Sequence, residues 1–296
     1  NKCIVMGDPS GKKEDFPEAI EAFIEETDRL CYLPVFYETS EEIVMILHEF
    51  GYDFIKMGEE AYVDLNSFTT SGKKMKGTRA VLNRIEREGF TFDVLQPPFS
   101  AEQMSIFKNI SDNWLGSRKE KGFSLGFFSE DYLQRAPIAV VKNTQEEIVA
   151  FATIMPTYTN NKVGTIDLMR YDPKKAPSGS MDFLFLHLFA YMKEEHIQWF
   201  NLGMAPLSNV GTSRKSFLQE RIAYLVYEFG SHFYSFHGLR EYKSKYATNW
   251  VSRYTLYSRD SWIAYVMIAL LIIDNAPVEQ TQGRINGLKK WIRRKY

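Results

Sequence analysis

GTIDLMRYDPKKAPSGSMDFLFLHLFAYMKEEHIQWFNLGMAP, residues 164–206, decides the fold. It reads as a strand ending in Asp167 and Arg170, a Pro/Gly turn, and an amphipathic helix from about Gly179 to Glu195. A short strand, IQWFNL, then runs straight into Asn201, Leu202 and Gly203. Charged groups at a strand end, facing a helix N-terminus and a neighbouring strand end, predict an acyl-transfer cleft. A plain strand–helix–strand unit has no need of them. Side chains alternate faces on a regular strand, so Asp167 and Arg170 share one cleft only if the strand bulges or ends near Met169. Otherwise the two are a structural ion pair. Asp182, in the first helical turn, either complements the positive end of the helix dipole or joins the chemistry.

Working outward, three strands, IAVVKN, EEIVAFATIMP and KVGTIDLMR, are separated by turns around Thr144 and Asn160–Asn161. Upstream lie the strand FTFDVL and a helix nucleated at Ser100 that runs through QMSIFKNISDNWL. Downstream come a helix around residues 213–229 and an aromatic strand, SHFYSF. The order β-α-(α)-β-β-β-α-β-α-β resembles the GNAT-type acyltransferase fold, with residues 91–260 holding a complete copy. The first ninety residues open with the strand KCIVM and a helix from Phe16 to Leu30 whose apolar positions Phe16, Ile20, Phe23 and Ile24 have helical spacing. The strand LPVFYET and a helix from Ser40 to Phe50, closed by Gly51, follow. YDFIKM and AYVDL read as a hairpin around Gly58 and Glu59, and a basic helix near Lys76–Glu88 closes the unit. The expectation is an α/β chain with a tandem GNAT-like acyltransferase fold, mixed central sheets flanked by helices, and the second copy complete. Residues 1–90 form a partial or diverged copy, 91–260 the catalytic copy and 261–296 a C-terminal helical extension. No residue-level repeat links the copies, so the duplication rests on topology.

The composition admits substantial cores, with 45% hydrophobic and 15% aromatic residues, and a formal charge of −1 gives no global attraction to polyanions. Cys3 and Cys31 lack metal-ligand spacing and a disulfide framework, which favours a reducing, cytosolic setting. The chain opens abruptly on NKCIVMGDPSG, as a fragment of something longer does, and no signal peptide precedes the first strand. The longest apolar run, WIAYVMIALLII at 262–273, is too short for a bilayer span of about 20 residues. It is either a buried helix or one lying at a membrane interface. The histidines show no metal-binding spacing, no G-x-S-x-G elbow exists, and GDPSGKK misses the P-loop pattern. No metal is expected.

GNAT-type acetyltransferases wrap the acetyl-CoA pyrophosphate in a Gly-rich, basic loop at the start of the central helix. The corresponding loop here, DPKKAPSGS, lacks R-x-x-G-x-G spacing. No acyl-CoA cofactor is therefore expected, and an aminoacyl-tRNA is the better donor. In LREYKSKYATNWVSRY, residues 239–254, Arg240, Lys243, Lys245 and Arg253 alternate with Tyr242, Tyr246, Trp250 and Tyr254. Cations suit phosphates and aromatic faces suit unstacked bases, so this segment fits the single-stranded end of a tRNA. The alternative is a solvated basic face with aromatics turned inward. Further basic clusters lie at Lys73–Arg87, Arg118–Lys121 and Arg214–Lys215. RINGLKKWIRRKY at 284–296 carries six basic and no acidic residues, and suits anionic lipid or RNA unless it is a frayed tail.

DLMRYDPKKAPSGSMDFLF, WFNLGMAPLS, LREYKSKYATNW and KGTRAVLNRIEREGFTF together resemble the cytosolic catalytic domain of the bacterial multiple peptide resistance factor family, the phosphatidylglycerol lysyltransferases. The resemblance spans essentially the whole chain. It implies a tandem GNAT-like domain that moves lysine from lysyl-tRNA to a glycerol hydroxyl of phosphatidylglycerol at the cytoplasmic face of the cell membrane, lowering membrane negativity and with it sensitivity to cationic antimicrobial peptides. It also implies a lipid tunnel between the domains and an N-terminal membrane region absent from this chain. The family's Asp and Arg, three residues apart, match Asp167 and Arg170.

On that basis Asp167 binds the lysine α-ammonium or assists proton removal, and Arg170 holds the lipid phosphate or organises Asp167. Arg240, Lys243 and Lys245 meet the tRNA end or the lipid headgroup, Glu241 contacts the lysine ammonium, and the Asn201–Gly203 strand end supplies backbone donors. A lysine pocket needs a deep acidic group, for which Glu146, Glu147, Glu241 and Asp182 are the candidates. Alanyl-tRNA as donor, a peptidoglycan precursor as acceptor in the manner of FemX-type transferases, a plain acyl-CoA acetyltransferase, and a catalytically dead RNA- or membrane-binding module are the rival readings.

Overall fold

The computed structural model describes residues 1–156, 162–213, 215–217, 220–221 and 236–276. Its elements, in chain order, are β1 (Lys2–Met6), α1 (Phe16–Arg29), β2 (Leu33–Thr39), α2 (Glu41–Glu49), β3 (Tyr52–Asp64), α3 (Lys76–Arg87), β4 (Thr91–Leu95), α4 (Ala101–Leu115) and α5 (Glu130–Leu133). They continue with β5 (Ile138–Lys142), β6 (Ile148–Met155), β7 (Val163–Tyr171), α6 (Ser180–Glu194), β8 (Trp199–Pro206), α7 (Phe236–Ser244), β9 (Asn249–Ser258) and α8 (Ile263–Asp274). The fold is mixed α/β. By proximity the chain divides into Asn1–Ala61 with Gly203–Ile273, and Tyr62–Leu202 with Asp274–Tyr296. Both units are discontinuous in sequence, whereas the division at 1–90, 91–260 and 261–296 follows topology; that division stands as a proposal.

In the first unit the strand order is β1-β2-β9-β3. β1 runs parallel to β2, and β2 antiparallel to β9. Phe16 and Ile20 of α1 and Ile43 and Leu47 of α2 pack with Phe36, Tyr52 and Leu256. α8 lays Val266 and Leu270 on Val35, Ile55, Met57 and Tyr257. Its other face is exposed: Trp262, Tyr265, Ile268, Leu271 and Ile272 are each at least half accessible (65%, 62%, 50%, 61% and 67%). The run 262–273 is thus buried along one stripe only. The hairpin expected around Gly58 and Glu59 is absent; β3 runs through it as one strand of 13 residues. Gly58 serves close approach rather than a turn, since a Cβ there would lie 2.5 Å from the Ala205 carbonyl oxygen.

In the second unit the order is β8-β7-β6-β5-β4, antiparallel from β4 to β7 and parallel between β7 and β8. α4 begins with a capping box, Ser100 Oγ accepting from Gln103 N–H while the Gln103 side chain accepts from Ser100 N–H. Such a cap contributes about 1 kcal/mol. α4 sets Met104, Phe107 and Ile110 against Ile138, Val140, Phe151 and Leu168. Phe107, Phe151 and Leu168 are fully buried, worth roughly 2 kcal/mol each. On α6, Phe189 packs edge-on against Phe200 of β8, with centroids 5.1 Å apart.

The sequence of elements from β4 to β8 is the one expected. β8 is longer than expected, so Asn201 and Gly203 sit inside a strand of eight residues rather than at its end. The turn at Asn160–Asn161, most of the helix at 213–229, SHFYSF before Phe236, Arg214 and the basic tail at 284–296 lie outside the described residues.

Candidate functional site

β7 carries the expected irregularity. Ala152 pairs with Met169 but Ile154 pairs with Ile166, so β7 spends one more residue than β6 between the two pairs. This bulge falls on Asp167 and Leu168, and it follows the last residues at which β7 pairs with β8, Thr165 and Asn201. Asp167 is thereby aimed at Tyr132, whose hydroxyl donates to its Oδ2 at 3.0 Å. Gly126 lies close against the same carboxylate: a Cβ there would fall 2.6 Å from Asp167 Cγ. Asp167 is exposed, yet partial desolvation of its carboxyl group raises its pKa, opposed by the Tyr132 hydrogen bond and by the positive charge of Arg170.

Arg170, 9% exposed, is held rigidly. Its Nη2 donates to Glu120 Oε1 at 2.7 Å, its Nη1 to the Met169 carbonyl at 3.0 Å, and its guanidinium stacks on Trp114 at 4.1 Å. Arg118 covers the same indole, also at 4.1 Å. The Nε–H of Arg170 is buried and has no hydrogen-bond partner among the described residues. Asp167 and Arg170 feel each other's charge without forming an ion pair among the described residues. The arrangement offers a carboxylate drawn toward neutrality and a guanidinium with an unused donor.

The loop before α6 folds on itself. Asp172 accepts from the backbone N–H groups of Lys174 and Lys175 and from Asn113 Nδ2, at 2.8, 3.3 and 3.0 Å. Burial opposes this, yet the donors hold its pKa below the usual carboxylate range. Gly179, at φ 89°, fits against α3, where a Cβ would fall 2.3 Å from Val81 Cγ1, and Arg84 donates to the Ser178 carbonyl. The α6 N-terminus is thus packed against α3. Asp182 is half-buried in the first turn of α6. Asn201 donates to the Tyr62 hydroxyl at 3.3 Å, and its carbonyl accepts from Thr165 Oγ1 at 2.9 Å.

Within the first unit, Arg240, Lys243 and Arg253 of the segment 239–254 have partners inside the fold, whereas Lys245 is exposed. Arg240 pairs with Glu59, donates to Ser208 and stacks on Trp250 at 3.8 Å. Glu59 also accepts from Lys56 and Asn209, at 2.7 and 2.8 Å. Burial pushes the Glu59 pKa up, but the hydrogen bonds from Lys56, Asn209 and Arg240 hold it below the usual range. Arg253 grips Glu60, Nε to Oε2 at 2.7 Å. Lys243 donates to the Met204 carbonyl at 2.7 Å, and a Cβ on Gly203, φ 81°, would lie 3.5 Å from its Nζ. Lys245 sits over Tyr242 at 4.5 Å; Lys245 and Glu241 are exposed. Of the other acids considered for a lysine pocket, Glu146 is exposed in a turn and Glu147 pairs with Lys175 at 3.2 Å. Neither is deep.

Tyr132, Gly126, Glu120 and Trp114 carry no motif that marks them in advance. Glu59 and Glu60 do: two adjacent acids inside an apolar strand require cations from elsewhere. No group of three or more His, Cys, Asp or Glu residues suited to a metal occurs among the described residues.

Residues 1–257 match the family described as phosphatidylglycerol lysyltransferase, C-terminal. The chain belongs to that family. It is 49% identical over 266 residues to the phosphatidylglycerol lysyltransferase of Bacillus subtilis (strain 168), and 43% identical over 261 residues to that of Staphylococcus aureus (strain COL). Those alignments cover 90% and 88% of this chain but 31% of each relative, so the chain spans about a third of their length. Among solved structures it is similar to L-PGS from Bacillus licheniformis, at 48% identity and a TM-score of 0.81, covering 93% of this chain and 83% of that one. No described helix of this phosphatidylglycerol lysyltransferase C-terminal family member is long and apolar enough to cross a membrane.

Proposed function

We propose that this chain transfers lysine from lysyl-tRNA to a glycerol hydroxyl of phosphatidylglycerol at the cytoplasmic surface of a membrane, as the catalytic part of a longer membrane-anchored protein. The observation that carries the reading is the β7 bulge, which sets the Asp167 carboxyl beside Tyr132 and Arg170 in a chain closely related to phosphatidylglycerol lysyltransferases.

The chemistry exchanges one ester for another and needs no external energy. The lipid hydroxyl attacks the aminoacyl carbonyl; its proton passes to Asp167 and then to the departing ribose oxygen of the tRNA. A carboxyl whose pKa is raised by partial desolvation is a stronger base than a solvated one. Tyr132 fixes its direction. Arg170, stacked on Trp114 and paired with Glu120, takes the lipid phosphate or organises Asp167. Backbone N–H groups in Asn201–Gly203 face the developing oxyanion, and positioning of the two esters removes several kcal/mol of barrier. Lys243 and Lys245 meet the tRNA end, while Arg240 braces Glu59. A membrane-borne acceptor is supported by the exposed face of α8, with Trp262 and Tyr265 at one end of an apolar stripe, a composition suited to a lipid–water boundary.

The test is to incubate the protein with radiolabelled lysyl-tRNA or alanyl-tRNA and phosphatidylglycerol vesicles, then follow label into the lipid extract. Lysine-dependent labelling, lost in folded Asp167→Ala and Arg170→Ala proteins, is expected. No label in the lipid with either donor overturns the functional reading, and both variants working at near-wild-type rates removes this site from consideration.

A further inference from the structure

The stretch 114–132 lies against the β7 pair. It brings the Trp114 indole and the Glu120 carboxylate to Arg170, and Gly126 and the Tyr132 hydroxyl to Asp167. No helix or strand forms in it between α4 and α5. Between Leu115 and Glu130 the sequence has one acid, Glu120, set among Arg118, Lys119 and Lys121. That acid reaches past its basic neighbours to a buried guanidinium, pairing with Arg170 Nη2 at 2.7 Å. Arg170 has a second carboxylate nearby. Asp167 and Arg170 act on each other's charge from the same strand, yet they form no ion pair among the described residues. Nη2 is turned to Glu120 and Nη1 to the Met169 carbonyl instead. Arg118, over the same indole, adds a repelling positive charge, so the guanidinium needs an anion close by.

We propose that Glu120 is a positioning residue that holds the Arg170 guanidinium off Asp167, and so keeps the Asp167 carboxyl free to accept a proton. The inference deepens the reading of the β7 site as the place of transfer and rests on it for the effect on rate. A guanidinium released from Glu120 turns to the next carboxylate, which is Asp167. A direct pair of that kind lowers a carboxyl pKa by about 1–3 and leaves a weaker base. The charged and titratable groups that face Asp167 are Tyr132 from α5 and Arg170 from β7; those that face Arg170 are Glu120, Arg118 and Asp167. Glu120 thus acts on Asp167 through the guanidinium.

The test is the titration of the Asp167 carboxyl itself, followed by carbon NMR in protein labelled at the aspartate carboxyls and assigned by the resonance lost in Asp167→Asn. In Glu120→Gln the midpoint should fall by at least about one pH unit. In an Arg170→Met background the same substitution should leave it in place, since no guanidinium is there to be released. Glu120→Asp, which keeps the charge on a shorter arm, should give an intermediate midpoint and decides the matter if Glu120→Gln does not fold. With lysyl-tRNA and phosphatidylglycerol, the acidic limb of the kcat profile should move to lower pH in Glu120→Gln and kcat should fall about tenfold, with KM for lysyl-tRNA within threefold of wild type. An unmoved midpoint in the folded variant, or an equal fall when Arg170 is absent, overturns the inference. A midpoint that falls as expected in a protein that transfers no lysine to lipid would instead defeat the functional reading and leave the hold of Glu120 on Arg170 standing.

Discussion

The two bulged strands set their acids against different surroundings. On β7, Asp167 is supported by a neutral hydroxyl and a glycine backbone, and its charged neighbour Arg170 is committed to Glu120 and Trp114. On β2, Phe36 pairs with Leu256 but Thr39 with Tyr254, and in the resulting bulge Glu38, at φ 61°, sits beside a dense network in which Glu59 and Glu60 consume Arg240, Lys56 and Arg253. The first environment raises the pKa of a carboxyl, which suits the proton movement proposed for it. The second consumes most of its charge on itself.

The largest expected effect falls on β7. Lysine cannot stack on Trp114 while forking to Glu120 and a phosphate, so Arg170→Lys should slow lysine transfer by about a hundredfold with the protein still folded. A rate within threefold of wild type, read from steady-state kinetics, would show that the guanidinium is merely structural. Next comes the network: Glu59→Ala leaves Arg240 and Lys56 without their carboxylate and should cost about 3 kcal/mol in urea unfolding. An unchanged midpoint would move Glu59 out of the structural group. Gly126→Ala, which places a methyl group against the Asp167 carboxylate, should lower transfer about tenfold with little loss of stability. If activity survives intact, the carboxylate is not held where this account needs it.

The smallest effect is on stability against pH. The folded protein binds a proton at Glu38 that the unfolded chain releases, because the folded pKa is about 7 and the ordinary value 4.5. Its contribution is therefore fully present below about pH 4.5 and lost as pH rises through about 7. Glu38→Gln should flatten that part of the stability profile, measured by denaturant unfolding between pH 4.5 and 7. An identical slope in the variant would place the proton elsewhere.

Much of this was legible from residues alone. The Asp167–Arg170 spacing demanded a bulge because strand geometry otherwise separates the two, and β7 has it. Ser100 and Gln103 announced the start of α4. The β3 hairpin was misread because Gly58-Glu59-Glu60 has turn composition. What makes it a strand is distant: Ala205 pressing on Gly58, and Arg240 and Arg253, roughly two hundred residues on, neutralising the acids. The same distance explains the inward turn of Arg240 and Arg253, whose partners on β3 no local pattern reveals. Glu38 had no signature at all, since a bulge in β2 depends on the register of β9.

The most direct measurement of the central claim follows transfer to phosphatidylglycerol from lysyl-tRNA and from alanyl-tRNA with folded Asp167→Asn protein. If the Asp167 carboxyl on the β7 bulge carries the chemistry, the variant suppresses transfer at least about a hundredfold with whichever donor the wild type uses. Near-wild-type transfer by folded Asp167→Asn protein would contradict that assignment.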